Sequence, residues 1–283
     1  MTTQAPDSTT MGPNFVSADY AEQWQRGNRM RGEVFAALTE MMLDLANIQL
    51  GDRVLELAAG MGDLAVMTAR RVGPNGHVLA TDISANMLNL AAETVREAGL
   101  TNVETRVMDA ESIDLAPASF NVVLCRAGLM LFPNAAKVLL GVHRALKPSG
   151  KFAVTVWSTA EKNPFFGLPL SIASRLAKIP LPASRQPGLF ALSGQGVLEE
   201  CYTKAGFQDV AVRAVSVRRH FPSTAEAIGA MKGSFPRLQV LLNKLSDADR
   251  ALAWSEIEQQ LNQFEGPNGF EAPGEWLIGV GTK

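Results

Sequence analysis

Cysteine, tyrosine and histidine are scarce in this 283-residue chain, at two, two and three residues. Cys125 and Cys201 supply neither a disulfide framework nor a metal-ligand spacing. Both sit among apolar neighbours, which predicts buried free thiols. Three histidines leave few groups for proton transfer near neutral pH. An excess of one charge is also missing: 26 Lys and Arg stand against 28 Asp and Glu, a net charge of −2. That argues against the basic face that nucleic-acid binding requires, so no nucleic-acid partner is expected. The one local cluster, Arg213, Arg218, Arg219 and His220, reads as a solvated strand edge. Long hydrophobic runs are absent too. The most apolar stretch, 120–132, contains Asn121 and Arg126 and is too short to span a bilayer. Residues 1–14 have neither a basic start nor an apolar core, so no secretory signal is expected. Residues 1–18 are expected to be a flexible tail, and the cytoplasm is the expected location.

What is present is an ordinary globular composition, 47% hydrophobic and 19% charged, on a chain long enough to bury a full core. Phe35, Leu38, Met41, Met42 and Leu45 recur at helical spacing, which predicts a helix from Asp19 to about Ala46. Tyr20 and Trp24 lie one turn apart at its front; stapling it to the core is the favoured role and covering a ligand the alternative. Strand and helix then alternate. Strands are predicted at 54–57, 77–81, 103–107, 120–125 and 151–157, with helices between, one opened by Ser84 and one by Asn134. Five such units predict a parallel sheet covered by helices on both faces, with ligands at the carboxyl ends of the strands.

Beyond Trp157 the rhythm breaks. Helices are expected near Phe166–Ala177, from about Gly196 to Ala205 after a start at Ser193, and across 224–264 with an interruption at Pro236. Strands are expected over 210–217, continuing toward His220, and over 276–281. The organisation expected is one domain over 19–283. Its core covers about 50–160 plus the C-terminal strands, and two insertions, about 158–194 and 222–266, bracket those strands.

The stretch from Val54 to Ala65 holds the first chemistry. A buried strand runs into Gly60 and Gly62, whose missing Cβ atoms let backbone approach a ligand. Gly60-Met61-Gly62-Asp63-Leu64-Ala65 satisfies G-x-G-x-x-A, and Asp82 lies at the distance expected of a ribose contact. The pattern fits a dinucleotide or a nucleoside without phosphates. Glu56, Asp82, Asp109 and Arg126 all fall at or just before strand ends. Glu56 beside the glycine loop repels a pyrophosphate and suits an ammonium.

In order and spacing, these segments resemble the class I S-adenosylmethionine-dependent methyltransferases, and among them the quinone-ring C-methyltransferases of ubiquinone and menaquinone biosynthesis. The resemblance covers roughly 50–160 well and the remainder in outline. Val54 to Gly62 corresponds to the family's strand and E/D-x-G-x-G-x-G loop, Asp82 to Leu88 to its second motif, and Met108-Asp109-Ala110 to its adenine turn. Leu146-Lys147-Pro148-Ser149-Gly150 is similar to the LKPGG turn, and Phe120 to Phe132 with Val156-Trp157 and Asn163-Pro164 to the quinone-type subgroup. The resemblance implies a Rossmann-like, doubly wound, seven-stranded sheet, S-adenosylmethionine as cofactor and S-adenosylhomocysteine as product. The implied cofactor residues are Glu56, Ala58, Gly60, Gly62, Asp82, Ile83, Met87, Asp109, Ala110 and Arg126. Ala58 departs from the pattern, standing where the family has its first glycine, and its Cβ is expected to narrow the loop.

The implied activity is methyl transfer to a small aromatic or hydrophobic acceptor, by C- or O-methylation of a quinol- or phenol-like ring. Arg126 is the candidate for stabilising an acceptor oxyanion, and His220 the candidate base. Phe165, Phe166, Leu168, Phe190, Phe221, Phe235 and Trp254 supply apolar surface for a lid. A nicotinamide-dependent oxidoreductase and a non-catalytic S-adenosylmethionine-binding protein are the alternatives.

Overall fold

A computed structural model describes residues 14–26, 28–183 and 185–283. The first thirteen residues of the expected tail lie outside the described residues. The helices are α1 (Ala18–Arg26), α2 (Asn28–Leu45), α3 (Asp63–Val72), α4 (Ala85–Glu97), α5 (Ala135–Ala145), α6 (Pro164–Ala177), α7 (Val197–Lys204), α8 (Thr224–Ser234), α9 (Pro236–Leu242) and α10 (Asp247–Leu261). The strands are β1 (Arg53–Leu57), β2 (His77–Asp82), β3 (Val103–Val107), β4 (Phe120–Arg126), β5 (Leu146–Trp157), β6 (Gln208–Phe221), β7 (Glu265–Gly266) and β8 (Gly269–Thr282).

The sheet runs β3-β2-β1-β4-β5-β8-β6, with the two-residue β7 pairing β8 at one end. β1 to β5 are parallel, and β8 is antiparallel to both β5 and β6. Seven strands thus form the Rossmann-like α/β sheet. Strand order reverses between β1 and β4, and helices leaving those strands in opposite directions open a crevice at their carboxyl ends. The central strands carry unbroken apolar runs because both their faces are covered. Val54, Leu55, Leu57, Val123 and Leu124 are all fully buried. β3 is the edge, and Val107 at its end is exposed.

Helix starts follow side-chain chemistry. Ser84 Oγ accepts from Met87 N–H at 3.3 Å, Asn134 Oδ1 from Lys137 N–H at 2.9 Å, and Ser246 Oγ from Asp249 N–H at 3.1 Å. The helix expected over 19–46 is described as α1 and α2 on either side of residue 27, which lies outside the described residues. Three expectations need correction. Residues 14–18, expected in the tail, form a turn that leads into α1, with Ser17 Oγ accepting from Tyr20 N–H at 3.2 Å. α7 begins after Gly196, at φ +72°, and not at Ser193. Finally, β8 starts seven residues before Trp276, through Ala272-Pro273-Gly274. Proline is tolerated there because β5 pairs β8 only from Trp276 onward, so Pro273 has a strand on one side alone. Where that pairing stops, the buried Asn163 side chain takes over, donating to Glu275 O at 3.0 Å and accepting from Glu275 N–H at 2.9 Å.

Two apolar cores result. One lies under the sheet and includes the Trp157–Trp276 pair, stacked with ring centroids 3.6 Å apart. The other joins α6, α8, α9 and α10 to the start of β8 through Phe165, Leu170, Met231, Leu238, Ile257 and Phe270. Arg219, expected on a solvated edge, is buried over the rings of Trp157, Phe165 and Phe166. Arg218 keeps the expected exposure and pairs with Glu271. Among the described residues, no helix is long and apolar enough to cross a membrane.

Gly62, between β1 and α3, has φ +82°, and a Cβ there would lie 2.9 Å from the Ala91 Cα of α4. Gly62→Ala combines left-handed strain with a backbone clash, so it should cost about 2–4 kcal/mol in urea unfolding. A loss under about 0.5 kcal/mol would contradict this close approach of α3 and α4.

Candidate active site

The turn after β1 is built by backbone strain and one carboxylate. Ala58 takes φ +54°, a left-handed conformation that costs a non-glycine residue about 1–2 kcal/mol. This turn lets Ala59 N–H donate to Thr81 O at 2.9 Å and Gly60 N–H donate to Asp82 Oδ2 at 3.0 Å. The other oxygen of Asp82 accepts from Ser84 N–H at 2.9 Å. Burial pushes the Asp82 carboxyl above its ordinary pKa, partly offset by these backbone donors. Two of its roughly four lone-pair directions remain for a ligand. At the end of β4, Ala127 is likewise left-handed, at φ +60°, with its N–H on Thr155 O.

Above these strand ends lies a cavity of about 1060 Å³, at the upper end of the roughly 300–1,000 Å³ usual for small-molecule sites. Glu56, Ala58, Gly60, Asp82, Ile83, Met87, Asp109, Ala110 and Arg126 all line it. Gly62 does not; it faces α4. His220 does not either: it is exposed, with Nε2 3.0 Å from Asn268 O in the β7–β8 turn. β6 runs past the crevice along its antiparallel pairing with β8, which carries His220 away from the strand ends. His77 lies at the opening of β2 beside Glu104, and the His143 ring packs on Phe207. No histidine is in the lining.

Glu56 is the anomaly of the site. Its side chain is buried, and Oε2 has no hydrogen-bond partner among the described residues. Burial raises its pKa well above the ordinary value, Arg126 pulls it down, and Asp63 and Asp82 push it up further. Arg126, expected to face an acceptor, is held elsewhere. Its Nη2 donates to Asp63 Oδ2 at 2.5 Å, its Nη1 donates to Thr39 Oγ1 at 2.8 Å, and its guanidinium lies 4.7 Å from the Phe35 ring centroid. It touches the cavity but is committed to the protein.

The walls also differ from expectation. Phe15, Tyr20 and Trp24 form an aromatic row over the glycine loop, Phe15 edge-on to Tyr20 and Tyr20 stacked on Trp24. All three line the cavity, so the pair expected to staple the helix covers the site. The seven apolar residues expected of a lid are not in the lining. Most of them pack in the second core. The cavity instead receives Pro180, Leu181, Pro182, Gln186, Pro187 and Gly188 from the segment after α6, and Arg237 from α9. A proline-rich segment without periodicity carries no signal that would have marked it.

A family model described as a methyltransferase domain matches residues 48–179. The chain is 38% identical over 111 residues to the demethylmenaquinone methyltransferase of Listeria welshimeri, covering 39% of this chain and 47% of that protein. It thus spans about half the length of the first relatives it matches. It is 31% identical over 177 residues to the ubiquinone/menaquinone biosynthesis C-methyltransferase UbiE of Bordetella avium, covering 56% of this chain and 68% of the relative. The chain belongs to the class I S-adenosylmethionine-dependent methyltransferases, in the UbiE-like group. The fold agrees: a Haemonchus contortus phosphoethanolamine N-methyltransferase 2 structure superposes with TM-score 0.60 at 19% identity, covering 95% of this chain and 59% of that one.

S-adenosylmethionine, the family's cofactor, presents an ammonium, a carboxylate, a sulfonium, two ribose hydroxyls and an adenine, and no phosphate. The groups facing this methyltransferase cavity from β1, β2 and the turn after β3 fit that chemistry. They are acidic, and the buried Oε2 of Glu56 lacks a donor.

For the cofactor-free protein, a raised carboxyl pKa is stabilising below the unfolded value near 4.5 and is lost as pH rises through the folded value. Glu56→Gln removes that loss. Its Tm should exceed the wild type's at about pH 8, and the gap should close as the pH falls toward about 4.5. Equal melting at the higher pH would show that Glu56 is not a strained acid.

Proposed function

We propose that this domain transfers a methyl group from S-adenosylmethionine to a small acceptor with an apolar, quinol- or phenol-like body, on carbon or oxygen, in the cytoplasm. The observation that carries the reading is the unpartnered buried oxygen of Glu56, with Asp82 and Asp109 at neighbouring strand ends around one cavity. The quinone-biosynthesis names of the relatives favour an aromatic acceptor.

In this reading Glu56 receives the cofactor ammonium, which supplies the cation its burial demands. Asp82 accepts the ribose hydroxyls with its free lone pairs while holding the glycine loop through Gly60. Asp109 accepts from the adenine amino group, the Ala110 N–H meets a ring nitrogen, and Met87 packs on the ring. Ile83 and Ala58 bound the same ligand. The cofactor supplies an electrophilic methyl on a sulfonium. The protein's work is alignment and exclusion of water, and positioning of this kind supplies up to roughly 7–11 kcal/mol in good intramolecular models. Phe15, Tyr20 and Trp24 close the cofactor side. The insertions at about 158–194 and 222–266 act as the cap over the acceptor. Arg126 is a positioning residue: paired with Asp63, it sets the field at Glu56.

The nicotinamide alternative predicts a different ligand. Calorimetric titration should give micromolar or tighter binding of S-adenosylhomocysteine and none of NADH, and labelled methyl should pass to members of a phenol and quinol panel. NADH binding without S-adenosylhomocysteine binding would overturn the proposal. Cofactor binding without transfer to any phenol, quinol or amine would favour the non-catalytic alternative.

A further inference from the structure

Arg237 is the cavity residue that the cofactor reading leaves without a task. It is the second residue of α9, half-buried, and it lines the cavity. A Cβ placed on Gly188 would lie 3.6 Å from its Nη2, so the guanidinium sits beside the proline-rich segment. Other sheltered arginines are spoken for: Arg126 by Asp63 and Thr39, Arg144 by Ile113 O, and Arg250 by Leu242 O and Leu245 O. Arg237 has no hydrogen bond, ion pair or ring contact with any described residue. The acids of the cavity do not serve it. Glu56, Asp82 and Asp109 belong to the strand ends, Asp63 is taken by Arg126, and Glu111 accepts from Asn134 N–H. Burial lowers the Arg237 pKa, with no carboxylate offsetting the shift.

A half-buried, unpaired guanidinium beside Pro182 and Gly188 is costly unless something anionic meets it. Its planar fork matches a carboxylate or phosphate with two parallel hydrogen bonds, a geometry that a neutral hydroxyl does not reproduce. Leu131, Phe132 and Pro133 supply an apolar wall in the same cavity. We infer that Arg237 docks an anionic oxygen group, carboxylate or phosphate, on an acceptor whose body is an apolar ring. This rests on the assignment of the strand-end half of the cavity to the cofactor. It adds a charge requirement that a neutral quinol does not have.

The test uses the full chain saturated with S-adenosylhomocysteine and three probes: benzoate, phenyl phosphate and the neutral benzamide. At least one anion should bind about tenfold or more tightly than benzamide, as a charge-assisted pair would give. The tighter of the two identifies the group. Arg237→Gln should erase that preference. Arg237→Lys, which keeps the charge without the fork, should retain part of it. S-Adenosylhomocysteine affinity and Tm measured on each variant establish that it is folded. Equal binding of anions and benzamide, no binding of any probe, or a preference that survives in Arg237→Gln would overturn the inference. Failure of S-adenosylhomocysteine to bind the wild type would instead sink the cofactor reading beneath it.

Discussion

A carboxyl group buried at the end of a central strand needs a cation and hydrogen bonds to remain ionised, and Glu56 has neither in full. One oxygen has no donor, its neighbours Asp63 and Asp82 are acids, and the only cation that acts on it is already paired. The rest of the site is arranged around that deficit. Asp82 spends two acceptor positions holding the glycine loop and Ser84, and Arg126 is anchored by Asp63 and Thr39. In the proposed function a ligand ammonium completes the set, and stability given up at Glu56 is regained as binding energy.

The backbone carries a matching strain. Ala58 and Ala127, at the ends of the two strands flanking the crevice, both hold left-handed conformations that glycine would adopt without strain. They are not independent. A Cβ on Gly128 would lie 2.8 Å from that of Ala58, so the two strand-end turns pack directly on one another. The alanine that departs from the family pattern is thus accommodated by a glycine in the neighbouring turn. Strain of this kind persists where surrounding hydrogen bonds fix the turn, here through Asp82, Thr81 and Thr155.

Much of this was legible in the sequence because it is local. Apolar runs at period two or in blocks mark β1 to β5, Ser84, Asn134 and Ser246 open helices, and acids at strand ends mark the ligand edge. What was not legible depends on tertiary neighbours. The last strand was expected only over 276–281, because nothing local says that β8 has an open side where Pro273 sits. Arg219 looked solvated until three aromatic rings from β5 and α6 closed over it. His220 was expected near the acceptor, but it lies in the part of β6 whose long antiparallel pairing with β8 takes it away from the cavity. The Phe-rich insertions have the composition of a lid, yet their aromatic side chains face one another, and prolines and one arginine reach the site instead.

The central claim is that Glu56 is an under-satisfied acid, its pKa raised by burial, that receives an ammonium. Binding of S-adenosylhomocysteine should then release a proton wherever the free protein holds one. Calorimetry across about pH 5–8, in buffers of differing ionisation enthalpy, measures that release directly. The account predicts affinity that rises with pH and proton release in the wild type, and a weaker, pH-independent affinity in Glu56→Gln. Binding without proton release at any pH, or equal affinity in Glu56→Gln, would contradict it.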